Sequence, residues 1–162
     1  MNNIKDWPIS GPRLMTLHPK LRDEAINIFS RIYARGVNAR CVYCLRTFQE
    51  QALIFAQGRT RPGKIVTWAR PGFSYHNFGL ALDFCLIDPK NAWNMKADLD
   101  KDNIPDWMEV VVEFERAGWE WGGRWKRADT PHFQKVFNIP VAECLRRYNN
   151  KNFIPGTNYI NI

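Results

Sequence analysis

Only three histidines occur in the 162 residues, at positions 18, 76 and 132, and no apolar run approaches the ~18 residues of a membrane-spanning helix. The second absence excludes a helical membrane protein, and the first makes any pairing of histidines informative. No repeat, linker or low-complexity tract breaks the chain, which sets aside solenoids and disordered tethers. The opening MNNIKDWPIS has neither a basic start nor an apolar stretch, so synthesis in the cytoplasm without a cleavable secretory signal is expected. Cysteine is sparse, at 41, 44, 85 and 144, and a chain of this size builds a core without cross-links, so free and mostly buried thiols are expected. Acids are outnumbered, 16 against 23 Lys and Arg, for a formal charge of +7. Such a surface attracts polyanions, among them nucleic acid, anionic membrane and bacterial cell wall. The basic residues are scattered, however, and the densest groups (Arg59, Arg61 and Lys64; Arg124, Lys126 and Arg127) are too thin for a nucleic-acid-binding arm.

Apolar residues at 45% and charged residues at 24% are ordinary globular usage, and the length suits one domain. Leu21, Ala25, Ile28, Phe29 and Ile32 recur at helical spacing between Pro19 and Gly36, which predicts an amphipathic helix over 18–35. Residues 39–45 mix Val, Tyr and Cys like a strand, and Thr47 with Glu50 forms a capping-box pattern opening a short helix, with Arg46 at the junction. The Gly-, Pro- and Arg-rich stretch 58–73 predicts a long surface loop of the kind that borders sites.

In the following strand, GLALDFCLI, Leu80, Leu82, Phe84 and Leu86 share one face and Asp83 lies on the other. After a polar loop over 88–103, Trp107, Val110, Val111 and Phe114 mark the inward face of a helix ended by Gly118. A strand near 131–137, a last helix near 140–150 and a polar closing segment complete the chain. Strands interspersed with helices, without regular βαβ alternation, predict an α+β domain with a central antiparallel sheet flanked by helices.

The chemistry gathers in two stretches, residues 74–83 (SYHNFGLALD) and 129–133 (DTPHF). Two imidazoles and a carboxylate are a good donor set for zinc, leaving a fourth position open, and His76, Asp83 and His132 could supply it. A lone histidine beside a strand is ordinarily a hydrogen-bonded structural residue. Asp83 inside an apolar strand is different, because a buried carboxylate needs a cation, a metal or donors. Asp129, otherwise a turn acid before Thr130 and Pro131, stands three residues before His132 and is the candidate general base and acid. Arg46 is the candidate clamp for a developing oxyanion.

His18, at a helix start, reads as a capping or surface residue. Cys41 and Cys44 make a lone CxxC in a strand, where positions i and i+3 face oppositely, and read as core packing. Of Trp119, Trp121 and Trp125, only Trp125 is kept as a cleft candidate.

At these positions the sequence resembles the zinc peptidases that group D-alanyl-D-alanine carboxypeptidases and dipeptidases with phage L-alanyl-D-glutamate endolysins. Their SxHxxGxAxD pattern is met by Ser74, His76, Gly79, Ala81 and Asp83, the acid before the last histidine by Asp129 and His132, and the upstream R[ST]xxxQ by Arg46, Thr47 and Gln51. The likeness runs from about residue 17 to 133, and residues 58–84 are especially similar to the endopeptidase branch that includes phage endolysins.

The resemblance implies a fold like that of hedgehog and D-Ala-D-Ala peptidases, and one zinc ion held by His76, Asp83 and His132. It further implies water activation by Asp129, substrate contact by Arg46, support from Ser74 and Gln51, and cleavage of the L-Ala to D-Glu bond of peptidoglycan. The alternatives it leaves are a D-alanyl-D-alanine carboxypeptidase and a non-catalytic metal-containing wall-binding module. Leu45 stands where relatives often carry an aromatic, and Arg124 where an acid is common in the GGxW stretch, which alters the expected cleft charge. The expected organisation is a catalytic domain over 1–150 and a tail over 151–162, with no separate wall-binding domain. The expected behaviour is that of a monomer made in the host cytoplasm and acting on the wall after release, its partner peptidoglycan and not nucleic acid.

Overall fold

The computed structural model describes residues 4–162. In chain order the described elements are α1 (Trp7–Leu14), α2 (Pro19–Ala34), β1 (Ala39–Tyr43), α3 (Phe48–Ala56), β2 (Ala81–Leu86), α4 (Asp106–Arg116), β3 (Glu120–Trp121), β4 (His132–Gln134) and α5 (Val141–Asn149), with short 3-10 turns at Tyr75–Phe78 and Gly122–Arg124. The four strands form one antiparallel sheet in the order β1-β2-β4-β3, so the expected α+β architecture is the observed one. None of the described helices is long and apolar enough to cross a membrane.

The helices begin where the local chemistry dictates. Pro19 sits in the first turn of α2, His18 accepts a hydrogen bond from the Lys20 N–H, and Thr47 and Glu50 complete both halves of the capping box that opens α3. The predicted inward face of α4, with Trp107, Val110, Val111 and Phe114, is fully buried. Leu80, Leu82, Phe84 and Leu86 are buried on one face of β2, where Phe84 packs on Trp107 (centroids 4.3 Å) and Phe133 (5.4 Å). Each such side chain contributes roughly 1.5–3 kcal/mol by leaving water. The register that buries this row therefore fixes Asp83 on the opposite face, because a one-residue slip would expose every member of it.

Four expectations change in detail. β1 stops at Tyr43 instead of 45, because the register with β2 shifts between Cys41 and Tyr43. That irregularity turns Cys44 back toward Cys41, so thiols expected to face oppositely stand 3.3 Å apart, both buried and free. β4 is only three residues long, and a turn with Phe137 and Asn138 at positive φ follows two residues after it. His18 caps α2 but is buried, with Nε2 2.9 Å from the Ile160 carbonyl oxygen. The closing residues 151–162 lie against the body of the fold, with Ile160 buried and the Tyr159 hydroxyl donating to the Thr16 carbonyl at 2.9 Å.

Candidate metal centre

Three elements bring His76, Asp83 and His132 together. His76 lies in the 3-10 turn that enters β2, and Gly79 ends that turn at φ 69°, a left-handed conformation open to glycine. A Cβ at Gly79 would also stand 2.7 Å from the His18 nitrogen, so the close approach of two backbones requires glycine twice over. Asp83 and His132 are direct partners across the β2–β4 ladder, which sets their side chains side by side on one face.

The facing atoms are His76 Nε2, His132 Nδ1 and Asp83 Oδ1. The two nitrogens are 3.1 Å apart, and each stands 3.3 Å from the carboxylate oxygen. The outer nitrogens determine what the inner ones carry. His76 Nδ1 donates to the Cys44 carbonyl at 2.7 Å, and His132 Nε2 to Gln134 Oε1 at 3.1 Å. The orientation of the Gln134 amide is itself fixed, because its nitrogen donates to Glu120 Oε2 at 2.9 Å. Both imidazoles thus turn a lone pair inward, toward the carboxylate and toward each other. Three lone-pair atoms at this separation repel unless a proton or cation joins them. Ligand atoms about 2.0–2.2 Å from a tetrahedral zinc stand roughly 3.3 Å apart, so the donor set fits that ion in type and spacing.

The electrostatics carry the same signature. Burial would raise the Asp83 carboxyl, but the two imidazoles outweigh it and hold the group well below the usual carboxylate range. A proton can take the cation's place: burial would lower His132, yet with Nδ1 protonated the hydrogen bond and charge of Asp83 push it up.

Arg46 reaches the rim of the cluster, with Nη2 3.8 Å from Asp83 Oδ2 and its guanidinium 4.8 Å from the centre of the Tyr43 ring. Buried Gln51 holds it, accepting from Nη1 at 3.2 Å while donating to the Ala69 carbonyl at 2.8 Å, and this ties the site to the loop over 58–73. Asp129 is held by its backbone. Its N–H donates to the Gly122 carbonyl at 3.0 Å, and its own carbonyl accepts from the His132 N–H at 3.2 Å. Desolvation raises its carboxyl above the ordinary value and Asp83 adds to the rise, while His132, His76 and Arg46 oppose it; the residue is exposed, so solvent moderates these effects. Gly122 is required here, since a Cβ would meet the Asp129 carbonyl oxygen at 2.6 Å and His132 Cβ at 3.2 Å.

The Trp125 ring lies 5.1 Å from that of His132 and donates its N–H to Glu120, so it flanks the cluster. Ser74 precedes the 3-10 turn, and among the described residues no hydrogen bond from its hydroxyl reaches the three facing atoms. Arg124 turns away to pair with Glu115 on α4, which removes its charge from the cleft. Gln134, Glu120 and the Cys44 carbonyl had no place in the sequence expectations. Gln134 was accessible to period-two reasoning, since it shares a strand face with His132. A cavity of about 390 Å³ lined by Leu45, Phe78, Tyr148 and Tyr159 lies under the closing segment, and none of the three facing residues lines it.

Residues 68–135 match a protein-family model described as D-alanyl-D-alanine carboxypeptidase, a span that contains His76, Asp83, Asp129 and His132. The chain is 39% identical over 140 residues to the peptidoglycan L-alanyl-D-glutamate endopeptidase CwlK of Bacillus subtilis (strain 168), covering 85% of this chain and 81% of that protein. Its fold is similar to the crystal structure of the Serratia marcescens L-Ala D-Glu endopeptidase ChiX, with a TM-score of 0.51 and 23% identity over 80% of this chain and 87% of the other.

Proposed function

The chain belongs to the family of D-alanyl-D-alanine carboxypeptidases and peptidoglycan L-alanyl-D-glutamate endopeptidases, and from this we infer that it is a zinc-dependent endopeptidase cutting the L-Ala to D-Glu bond of the peptidoglycan stem. The observation that carries the reading is the convergence of His76 Nε2, His132 Nδ1 and Asp83 Oδ1 at 3.1–3.3 Å in a chain 39% identical to such an endopeptidase.

His76, Asp83 and His132 would hold the ion. Zinc supplies Lewis acidity at a carbonyl and lowers the pKa of water toward ~7. Asp129 takes the proton of the attacking water and passes it to the leaving amine, so that one C–O bond forms as the amide C–N bond breaks. Arg46, oriented by Gln51, meets the oxygen of the scissile carbonyl or a neighbouring carboxylate of the stem. Trp125 walls the cleft beside His132, and Ser74 supports the turn that carries His76 through its backbone carbonyl, which accepts from the Asn77 N–H at 2.9 Å. The net charge of +7 suits an anionic wall. The likeness of residues 58–84 to the endolysin branch supports a lytic role, with the protein acting at the wall of the cell in which it is made.

Mass spectrometry of peptidoglycan fragments after incubation, with chelator and with zinc restored, tests the reading. Stem peptides cut between L-Ala and D-Glu, lost on chelation and regained with zinc, are expected. Loss of terminal D-Ala alone would make it a carboxypeptidase, and zinc binding with no cleavage of any wall type would make it a binding module.

A further inference from the structure

Residues 98–109 read DLDKDNIPDWME, with acids at the first, third, fifth, ninth and twelfth positions. That is the ligand spacing of an EF-hand calcium loop, in which the seventh residue adds a backbone carbonyl and the twelfth is a glutamate. The sixth position, normally glycine for the sharp turn, is Asn103 at φ 74°, the conformation that glycine favours and asparagine tolerates better than most.

The fold gathers these acids. Carboxylate oxygens of Asp98, Asp100 and Asp106 lie within 4.8 Å of one another, as do those of Asp100, Asp102 and Glu109, and Asp100 is common to both groups. Oxygens bound at 2.3–2.6 Å to one ion stand at most about 5 Å apart, so each group has the spacing of ligands to one cation, and Asp100 links the two.

A second observation points to a ligand. Asp106 is 1% exposed and Glu109 7% exposed, yet Asp106 Oδ2 and Glu109 Oε2 are buried without a hydrogen-bond partner. An unpartnered buried carboxylate oxygen costs several kcal/mol, and two beside three further acids demand a positive partner. Burial, with the charges of Asp102, Asp100 and Asp106, pushes the Glu109 carboxyl up to about 7, while Arg35 pulls the other way. Arg35 itself is committed to Glu113, at 2.9 Å.

We propose that residues 98–109 form a calcium site separate from the His76, Asp83 and His132 centre, with Asp98, Asp100, Asp102, Asp106 and Glu109 as carboxylate ligands. An all-oxygen set this rich in carboxylates suits calcium, whereas magnesium keeps most of its waters and takes one or two carboxylates. The loop departs from the full helix-loop-helix unit in having turns before it, although α4 leaves it as the exit helix does. Asp100 packs beside Gly36, toward the Ala39 end of β1, while Asp83 pairs with Tyr43 at the other end. Calcium there ties the start of α4 to the sheet, since Trp107, between two of the ligands, packs on Phe84 of β2. The ion would therefore act as a structural clamp behind the strand that carries Asp83.

The test titrates calcium chloride into the full chain loaded with one equivalent of zinc, by calorimetry and thermal unfolding, with magnesium in parallel. One calcium per chain is expected, with a rise in Tm of about 5 °C or more at calcium ~100-fold above Kd, and a much smaller response to magnesium. Asp100→Asn and Glu109→Gln should each weaken calcium binding at least about 10-fold while zinc content stays at one. Without calcium, Glu109→Gln should unfold no earlier than the parent, because it removes a repelled buried charge, and this separates ligand loss from misfolding. Absence of binding and of any Tm shift at ~10 mM calcium would overturn the proposal, as would affinity unchanged in both variants or an equal response to magnesium.

Discussion

Gln134 Oε1 stands 3.1 Å from His132 Nε2 and leaves the opposite ring nitrogen of that histidine facing Asp83 with its lone pair. A glutamine two residues beyond the histidine thus selects the tautomer that can bind a metal. Gln134→Ala removes the acceptor without touching a ligand, and outer partners of this kind are worth about 10–100-fold in metal affinity. Chelator competition should show zinc held that much more weakly in a variant whose circular dichroism is unchanged. Parent-like affinity would mean that the contact orients nothing.

Asp129 and His76 should separate chemistry from metal binding. Asp129→Ala leaves all three facing atoms in place, so zinc content and Tm should match the parent while turnover on peptidoglycan falls at least about 100-fold. His76→Ala removes one facing nitrogen and should lose the metal with the activity. Both are read by metal analysis alongside fragment release. Full activity in either variant would remove that residue from the site.

How much of this was legible in the sequence depended on whether a signal was local. The period-two row Leu80, Leu82, Phe84 and Leu86 placed Asp83 on the opposite face, and the Thr47 and Glu50 capping box placed Arg46 at a strand-to-helix junction; both are encoded within a few residues. The Asp83–His132 pairing is a long-range register, and sequence could nominate the two residues without showing that they are neighbours. The Cys41–Cys44 contact was missed because it follows from an irregularity in β1 that no residue type announces. Asp98, Asp100 and Asp102 read as part of a polar loop and Asp106 and Glu109 as part of the helix after it, because an exposed acidic stretch and a cation loop share composition; what separates them is burial of Asp106 and Glu109, which belongs to the fold.

Gly79 and Gly118 isolate what the tight turn costs. Both have positive φ, 69° and 80°, but a Cβ at Gly79 meets the His18 nitrogen at 2.7 Å whereas one at Gly118 has nothing within 4 Å. Gly118→Ala should cost about 1 kcal/mol of backbone strain. Gly79→Ala adds a clash with main chain that cannot step aside, so a loss of at least about 3 kcal/mol is expected, together with weaker zinc binding because the turn carries His76. Denaturant unfolding of the two variants side by side measures the difference, and equal losses would show that the backbone approach at Gly79 is freely relieved.

Glu113 supplies a pH dependence away from the metal centre. Its side chain on α4 is 1% exposed and meets Arg31 at 2.8 Å, Arg35 at 2.9 Å and Arg116 at 2.8 Å. Burial opposes ionisation there, but the three guanidinium groups outweigh it and lower the carboxyl below the ordinary glutamate value near 4.5. Because the folded state holds the proton less tightly than the unfolded chain, the contribution is complete above the unfolded value and disappears as pH falls through the folded one. Glu113→Gln keeps the shape and removes the charge. It should therefore lower Tm by roughly 3–10 °C at pH 7, and the gap to the parent should close as pH drops below about 4. Other carboxylates titrate in the same range, so the difference between parent and variant across pH is the quantity to follow. A gap that stayed constant down to pH 3 would show that packing of the side chain, and not its charge, joins α4 to α2.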